Sequence, residues 1–190
     1  MTTFFIGDPH FGHKKVTELR GFEDVPQHDA TIMRNWREVV SDQDDVFVMG
    51  DMAMSNPQRH FGKLAELPGK KHLIIGNHDY CHPMRSNSHK RIRQYYDAFE
   101  SVQLQSQTAY KNVRFMLHHF PYQGDHTLED RHAEWRPRDM GQPLIHAHTH
   151  SDKKFSVSGR GTPQICVSLE AWDLYPASFA EIWDVYKQNY

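Results

Sequence analysis

"KKHLIIGNHD", residues 70–79, decides the fold: an apolar run reaches a glycine and then delivers Asn77, His78 and Asp79 in a row. The run reads as a strand, and Gly76 suits a backbone that must turn sharply as it leaves one. Four other stretches follow the same pattern. "TFFIGDPH" (3–10) ends in Asp8 and His10, "DDVFVMGD" (44–51) in Asp51, "RFMLHHFP" (114–121) in His118 and His119, and "PLIHAHTH" (143–150) in His148 and His150. In open α/β sheets, ligands bind beyond the carboxyl ends of the strands, where loops from several strands converge. Five segments presenting Asp, Asn or His at such ends can build one shared site. Carboxylate and amide oxygens mixed with imidazoles suit Mn, Fe or Zn, whereas the lack of clustered thiolates disfavours a structural zinc knot.

Between the strand-like runs lie helical patterns. Asp29 to Val40 places Ile32, Trp36, Val39 and Val40 on one face, and "NPQRHFGKLAEL" (56–67) opens with a proline suited to a first helical turn. "SFAEIWDVYKQ" (178–188) pairs Ser178 with Glu181 as a capping box. The back half is richer in strands, with "SVQLQSQTAY" (101–110), "NVRFMLHHF", "QPLIHAH" and "QICVSL" (164–169) in close succession. The expectation is one mixed α/β (α+β) domain over residues 1–190, two sheets flanked by helices, with Gln123 to Gln142 as a polar excursion over the surface.

Composition narrows the function. With 190 residues, 38% hydrophobic and 12% aromatic, the chain can bury a core. A net charge of −2 provides no global basic field, which argues against a dedicated binder of long duplexes. The N-terminus has no basic leader and no stretch is long and apolar enough for a membrane span. Two cysteines, Cys81 and Cys166, do not make a disulfide framework, so a cytoplasmic setting with no membrane partner is expected. Fifteen histidines, many of them clustered, are the unusual figure.

Taken in order, "GDPHFGH", "GD", "GNHD", "HFP" and "HTH" resemble the five-part signature of the calcineurin-like metallophosphoesterases, and most closely a group of small bacterial and phage phosphoesterases with a D-x-H-F-G-H start. The resemblance covers nearly the whole chain and implies the αββα two-sheet sandwich of that family. It implies two divalent metal ions, Mn favoured. Asp8, His10, Asp51 and His150 would hold one, and Asp51, Asn77, His119 and His148 the other, with Asp51 bridging. His78 would be catalytic, with Asp79 as its orienting partner. The implied activity is hydrolysis of a small phosphoester substrate by a metal-activated hydroxide, with small phosphodiesters such as cyclic or model nucleotides favoured and nucleic acid the less favoured partner. The alternatives are a phosphomonoesterase or protein phosphatase of the same chemistry and a non-catalytic metal-binding protein. Two positions depart from the pattern or fall outside it. Ala147 stands where the family has glycine, and His146 has no counterpart and is expected to serve structure or to back the metal ligands. Of the adjacent pair, His118 is expected to face away from His119. The basic stretch "HPMRSNSHKRIRQYY" (82–96), with Arg85, Lys90, Arg91 and Arg93, reads equally as a phosphate contact and as a solvated helix.

Overall fold

Phe4 and Ile6 of strand β1 (Thr3–Ile6) enter one hydrophobic core while Phe5, between them, enters another. Strands β2 (Asp45–Val48) and β3 (Lys70–Ile74) divide likewise: Val46, Val48 and Leu73 face the first core, and Ile74 the second. Successive side chains in a strand alternate faces, so these strands lie in a layer covered on both sides, and this is why they read as unbroken apolar runs. The computed structural model describes residues 1–54 and 58–190. Pro57, expected at a helix start, lies outside the described residues.

Two five-stranded sheets make up the centre. The first has the order β10-β1-β2-β3-β4, with β4 at Ser101–Gln103 and β10 at Ala177–Ser178. Strands β1 to β4 pair in parallel, and β10 joins β1 antiparallel. The second runs β5-β6-β7-β9-β8, from β5 (Gln105–Tyr110), β6 (Val113–His118), β7 (Leu144–His146), β8 (Phe155–Val157) and β9 (Pro163–Cys166). Helices α1 (Lys14–Leu19), α2 (Val25–Val39), α3 (Gln58–Ala65) and α4 (Ser88–Tyr95) fill the crossovers of the first sheet. Ile32, Trp36, Phe61, Leu64 and Tyr95 from three of them complete the first core. The second core holds Phe115, Leu117, Ile145 and Ile165 together with Phe179 and Ile182 of α5 (Phe179–Asn189). Mixed α/β architecture with two sheets flanked by helices is therefore what the chain adopts.

The boundaries differ from the reading in places. "SVQLQSQTAY" is not one strand: β4 belongs to the first sheet and β5 to the second, with Leu104 alone between them. The period-two pattern continues unbroken through the crossing, so nothing in it marks the change of sheet. The capping box of α5 is present, with the Glu181 backbone N–H donating to Ser178 Oγ and the Ser178 backbone N–H to Glu181 Oε2. Helix α2 begins four residues before Asp29, capped by the Asp24 side chain on the Gln27 N–H at 2.8 Å. No helix among the described residues is long and apolar enough to cross a membrane.

Candidate metal centre

The parallel strands leave the first sheet at Asp8, Asp51 and Asn77, and the second sheet supplies His119 after β6 and His148 after β7. The strand-end loops are stitched to one another. The His10 N–H donates to Asp51 O at 3.0 Å, Phe11 N–H to Met52 O at 3.0 Å and Ala147 N–H to His119 O at 3.0 Å. The backbone turns abruptly at the donors themselves. Asp8, His10, Asp51, His148 and His150 all have left-handed φ, between 48° and 69°, which non-glycine residues seldom adopt. Each such residue costs on the order of 1–2 kcal/mol. Strain of this kind collected at one point of a fold is a mark of a functional site.

Two glycines make the approach close enough. A Cβ on Gly76 would collide with the Asp51 backbone N and carboxylate. A Cβ on Gly7 would sit 2.6 Å from Ala147 Cβ. The methyl group that Ala147 brings in place of glycine is thus accommodated by the bare backbone across from it.

The donor atoms converge in two groups. In the first, Asp8, His10 and His150 bring ligand atoms within 4.8 Å of one another, and the Nε2 atoms of His10 and His150 face each other at 3.2 Å. In the second, Asn77 Oδ1 lies 3.0 Å from both His119 Nε2 and His148 Nδ1. Asp51 stands between, its Oδ2 3.8 Å from His10 Nε2 and 3.6 Å from His119 Nε2. All seven expected ligands therefore meet in one place.

The hydrogen bonds behind these atoms show what they are prepared to hold. The His119 Nδ1–H donates to Met49 O at 2.8 Å, so its Nε2 presents a lone pair to Asn77 Oδ1, which is also an acceptor. His148 Nε2 meets Asp125 Oδ2 at 3.3 Å, leaving Nδ1 as a second lone pair on the same oxygen. Asp8 Oδ2 accepts from Ser168 Oγ at 2.6 Å and His148 N–H at 2.9 Å, while its buried Oδ1 has no partner in the protein. Acceptors aimed at acceptors are satisfied by a cation, and this oxygen–imidazole set fits divalent metal ions.

Electrostatics agree. Burial, with the charge of Asp8 added, lifts the Asp51 carboxyl well above its usual range. Burial opposes charge on the His150 ring, but Asp8 and Glu170 override it and push its pKa up to about 9. Burial lowers His10 and His119, keeping them neutral and able to ligate. A pocket whose carboxylates repel one another and attract protons will hold positive charge strongly.

Outer residues that sequence reasoning missed fix the candidate ligands. His150 Nδ1 is 2.8 Å from Glu170 Oε1, and the same oxygen accepts from Arg20 Nε at 2.9 Å. Arg20 continues to the Asp8 carbonyl at 2.8 Å, clamping the left-handed turn. On the other side Asp125 backs His148 and is itself paired with Arg131 at 3.0 Å and Arg136 at 3.5 Å. Residues 123–142 are therefore not simply a surface excursion, because Asp125 turns its side chain fully inward. A carboxylate on the remote nitrogen of a ligating histidine sets its tautomer and orientation.

His78 is half-buried beside the ligands, its Nε2 3.9 Å from Asp51 Oδ2 and its N–H donating to Asp51 Oδ1 at 2.8 Å. Asp79 is not placed as an orienting partner for it. Its carboxylate accepts backbone N–H groups from Gly76 (2.8 Å), Asp51 (3.2 Å) and Met52 (3.3 Å), pinning two strand-end loops together. His118 accepts from the Phe120 N–H at 3.0 Å, and His146 Nδ1 bonds the Ala147 carbonyl at 2.8 Å, so both serve the scaffold. His13 caps α1 and stacks edgewise on His10 at 5.2 Å.

A family model described as calcineurin-like phosphoesterase matches residues 1–164. The chain belongs to the calcineurin-like phosphoesterase family. Membership implies divalent metals and metal-dependent phosphoester hydrolysis. This phosphoesterase is 40% identical to the Gene 66 protein of Mycobacterium phage L5 over 196 aligned positions, covering 96% of this chain and 93% of that one. It is 27% identical to the uncharacterized protein MJ1445 of Methanocaldococcus jannaschii, over 92% of this chain and 85% of the relative. Its fold matches AQ665 of Aquifex aeolicus, a protein described as of unknown function, with a TM-score of 0.71 at 22% identity and coverage of 97% and 98%.

Three clefts open on this cluster of donor residues. One of about 300 Å³ is lined by Asp51, Asn77, His78, Arg85, Arg131 and His148. One of about 470 Å³ runs past His10, His13, Val16, Leu19 and Glu170. One of about 580 Å³ extends along Gln123, Ser151, Lys153, Ser156 and Gln164. His126 and His150 line all three.

Proposed function

We propose that this chain hydrolyses small phosphodiesters, cyclic or model nucleotides among them, at a pair of divalent cations with Mn(II) favoured. Asp8, His10, Asp51 and His150 hold one cation, Asp51, Asn77, His119 and His148 the other, and Asp51 is shared. Bound there, the pair supplies Lewis acidity toward the phosphoryl oxygens and a water acid enough to ionise near neutral pH. Glu170 and Asp125 keep His150 and His148 in the ligating tautomer. Burial and the nearby His119 lower the His78 pKa to about 4, so its ring is neutral at neutral pH. From the cleft wall it donates an N–H hydrogen bond to charge developing on the leaving oxygen.

The observation that carries the diester preference is the meeting of three clefts at His126 and His150. A phosphoryl group at the metals has room for substituents in more than one direction, which a diester needs and a monoester does not. The test is hydrolysis of bis-p-nitrophenyl phosphate beside p-nitrophenyl phosphate by metal-stripped protein with Mn(II) restored. Metal-dependent turnover of the diester at the higher kcat/KM is expected. Turnover of the monoester alone would replace this reading with a phosphatase, and silence on both with two metals bound would point to a non-catalytic metal protein.

A further inference from the structure

Arg85 and Arg91 belong to the basic stretch 82–96, and neither side chain is among the proposed metal ligands. They line a cleft of about 450 Å³ with Tyr80, Met84, Ser86 and Asn87. This cleft shares Met84 and Arg85 with the one that opens on Asp51, Asn77 and His78, so the two adjoin across these side chains. Arg85 spans the junction. Its Nη2 donates to the Asn77 carbonyl at 3.1 Å, on the residue whose Oδ1 faces the metal position, and its guanidinium lies 5.3 Å from the centroid of the Tyr80 ring.

The other arginines around the site are each paired with a carboxylate. Arg20 is neutralised by Glu170, Arg131 by Asp125, and Arg136 by Asp125 and Asp130. Neither Arg85 nor Arg91 has a carboxylate partner among the described residues. Both side chains are solvent-exposed, and the two unneutralised guanidiniums border a recess that adjoins the cleft beside Asp51, Asn77 and His78, on a chain whose net charge is −2. The planar fork of guanidinium matches the oxygens of phosphate and binds them bidentately.

We infer that the Arg85–Arg91 cleft binds a second phosphate of the substrate, adjacent along the chain to the scissile ester, as in a terminally phosphorylated dinucleotide. The inference rests on the phosphodiesterase reading and narrows its substrate to diesters with a neighbouring phosphate. Arg85 takes the near side of that group and Arg91 the far side, while Asn77 holds Arg85 in register with the metal ligands.

The test compares a plain dinucleoside monophosphate with the same dinucleotide carrying a 5′- or a 3′-terminal phosphate, with Mn(II) at fixed ionic strength. In the wild-type protein one of the two phosphorylated forms is expected to gain about tenfold in kcat/KM, the scale of one charge-assisted hydrogen bond. Arg91→Glu is expected to bring that ratio back to about one, by replacing attraction with repulsion. A ratio near one for both forms in the wild type, or one that Arg91→Glu leaves unchanged, overturns the inference. If no dinucleotide is hydrolysed at all, that result counts against the phosphodiesterase reading, and the calorimetric Kd of the phosphorylated dinucleotides judges the cleft by itself. Weaker binding to Arg91→Glu than to the wild type then supports it, and equal binding overturns it.

Discussion

Replacing Glu170 with glutamine changes one atom and removes one charge, and its effects follow from the geometry. Glu170 Oε1 collects His150 Nδ1 at 2.8 Å, Arg20 Nε at 2.9 Å and Arg20 Nη2 at 2.8 Å. A glutamine oxygen can still accept, but as a neutral acceptor its bonds contribute about 0.5–1.5 kcal/mol in place of about 1.5–3. Its amide nitrogen would also occupy the Oε2 position, which is buried and without a partner. Outer partners of metal ligands typically contribute about 10–100-fold to metal affinity. The first metal of the proposed pair, assigned to His150, should therefore lose affinity on that scale in Glu170→Gln. The second should change little, because Asn77, His119 and His148 make no contact with Glu170. Titration calorimetry of Mn(II) into metal-stripped protein separates the two. A smaller cost falls on folding. Arg20, with a side chain 4% exposed, loses its counter-charge but keeps the carbonyls of Asp8 and Pro9. A loss of about 2 kcal/mol would lower Tm by roughly 4–8 °C in a chain of this size. Wild-type affinity at both sites would refute the claim that Glu170 sets His150, and equal weakening at both would mean that the change merely loosens the fold.

Other substitutions separate ligands from chemistry. His78→Ala should retain two metals by elemental analysis while turnover falls by about 10²–10⁴-fold, and normal turnover would remove His78 from the reaction. Asp79→Asn should lower Tm, because both carboxylate oxygens accept backbone N–H groups and an amide offers only one acceptor oxygen, while the shape of the pH–rate profile stays the same; a displaced profile would restore the His78 pairing. Gly76→Ala should bind less than one metal per chain, since the new Cβ displaces Asp51. Stability without metal should fall in acid. Burial depresses His146 to about 4 and His118 to about 3, from 6.5 in the unfolded chain. The stability each contributes is fully present above pH 6.5 and is lost as pH falls through the folded value. For His146 that amounts to about 3 kcal/mol between pH 6.5 and 4. Urea melts at the two ends of the window should show the loss, and His146→Gln should remove that much of it.

The convergence of the proposed ligands was legible in the sequence because each stands within a few residues of a strand end, where short-range pattern and topology coincide. The outer residues were not. Glu170 reaches His150 across 20 residues and Asp125 reaches His148 across 23, and neither spacing belongs to any local period. One signal was available for Glu170, a charged residue set in the apolar run "VSLEAW" (167–172), which should not be buried without a partner. Asp79 was misread for the opposite reason. It lies next to His78 in sequence, but adjacent residues on a turn need not face each other, and three free N–H groups claimed its carboxylate. The crossing at Leu104 was hidden because one residue suffices to change sheets without breaking the alternation.

The division of the proposed ligands between the sheets has a mechanical consequence. Asp8, His10, Asp51 and Asn77 follow strands of the first sheet, whereas His119, His148 and His150 follow strands of the second. A cation bound by both sets acts as a removable cross-link between layers otherwise joined at this end by packing and hydrogen bonds. It closes loops as long as the 140 residues between His10 and His150, a large share of the chain's freedom. Stripping the metals should leave each sheet's own ladder intact and loosen the seam between them. Amide exchange should then accelerate first at residues 8–11, 50–52 and 147–150, while the centres of β2 and β6 remain protected.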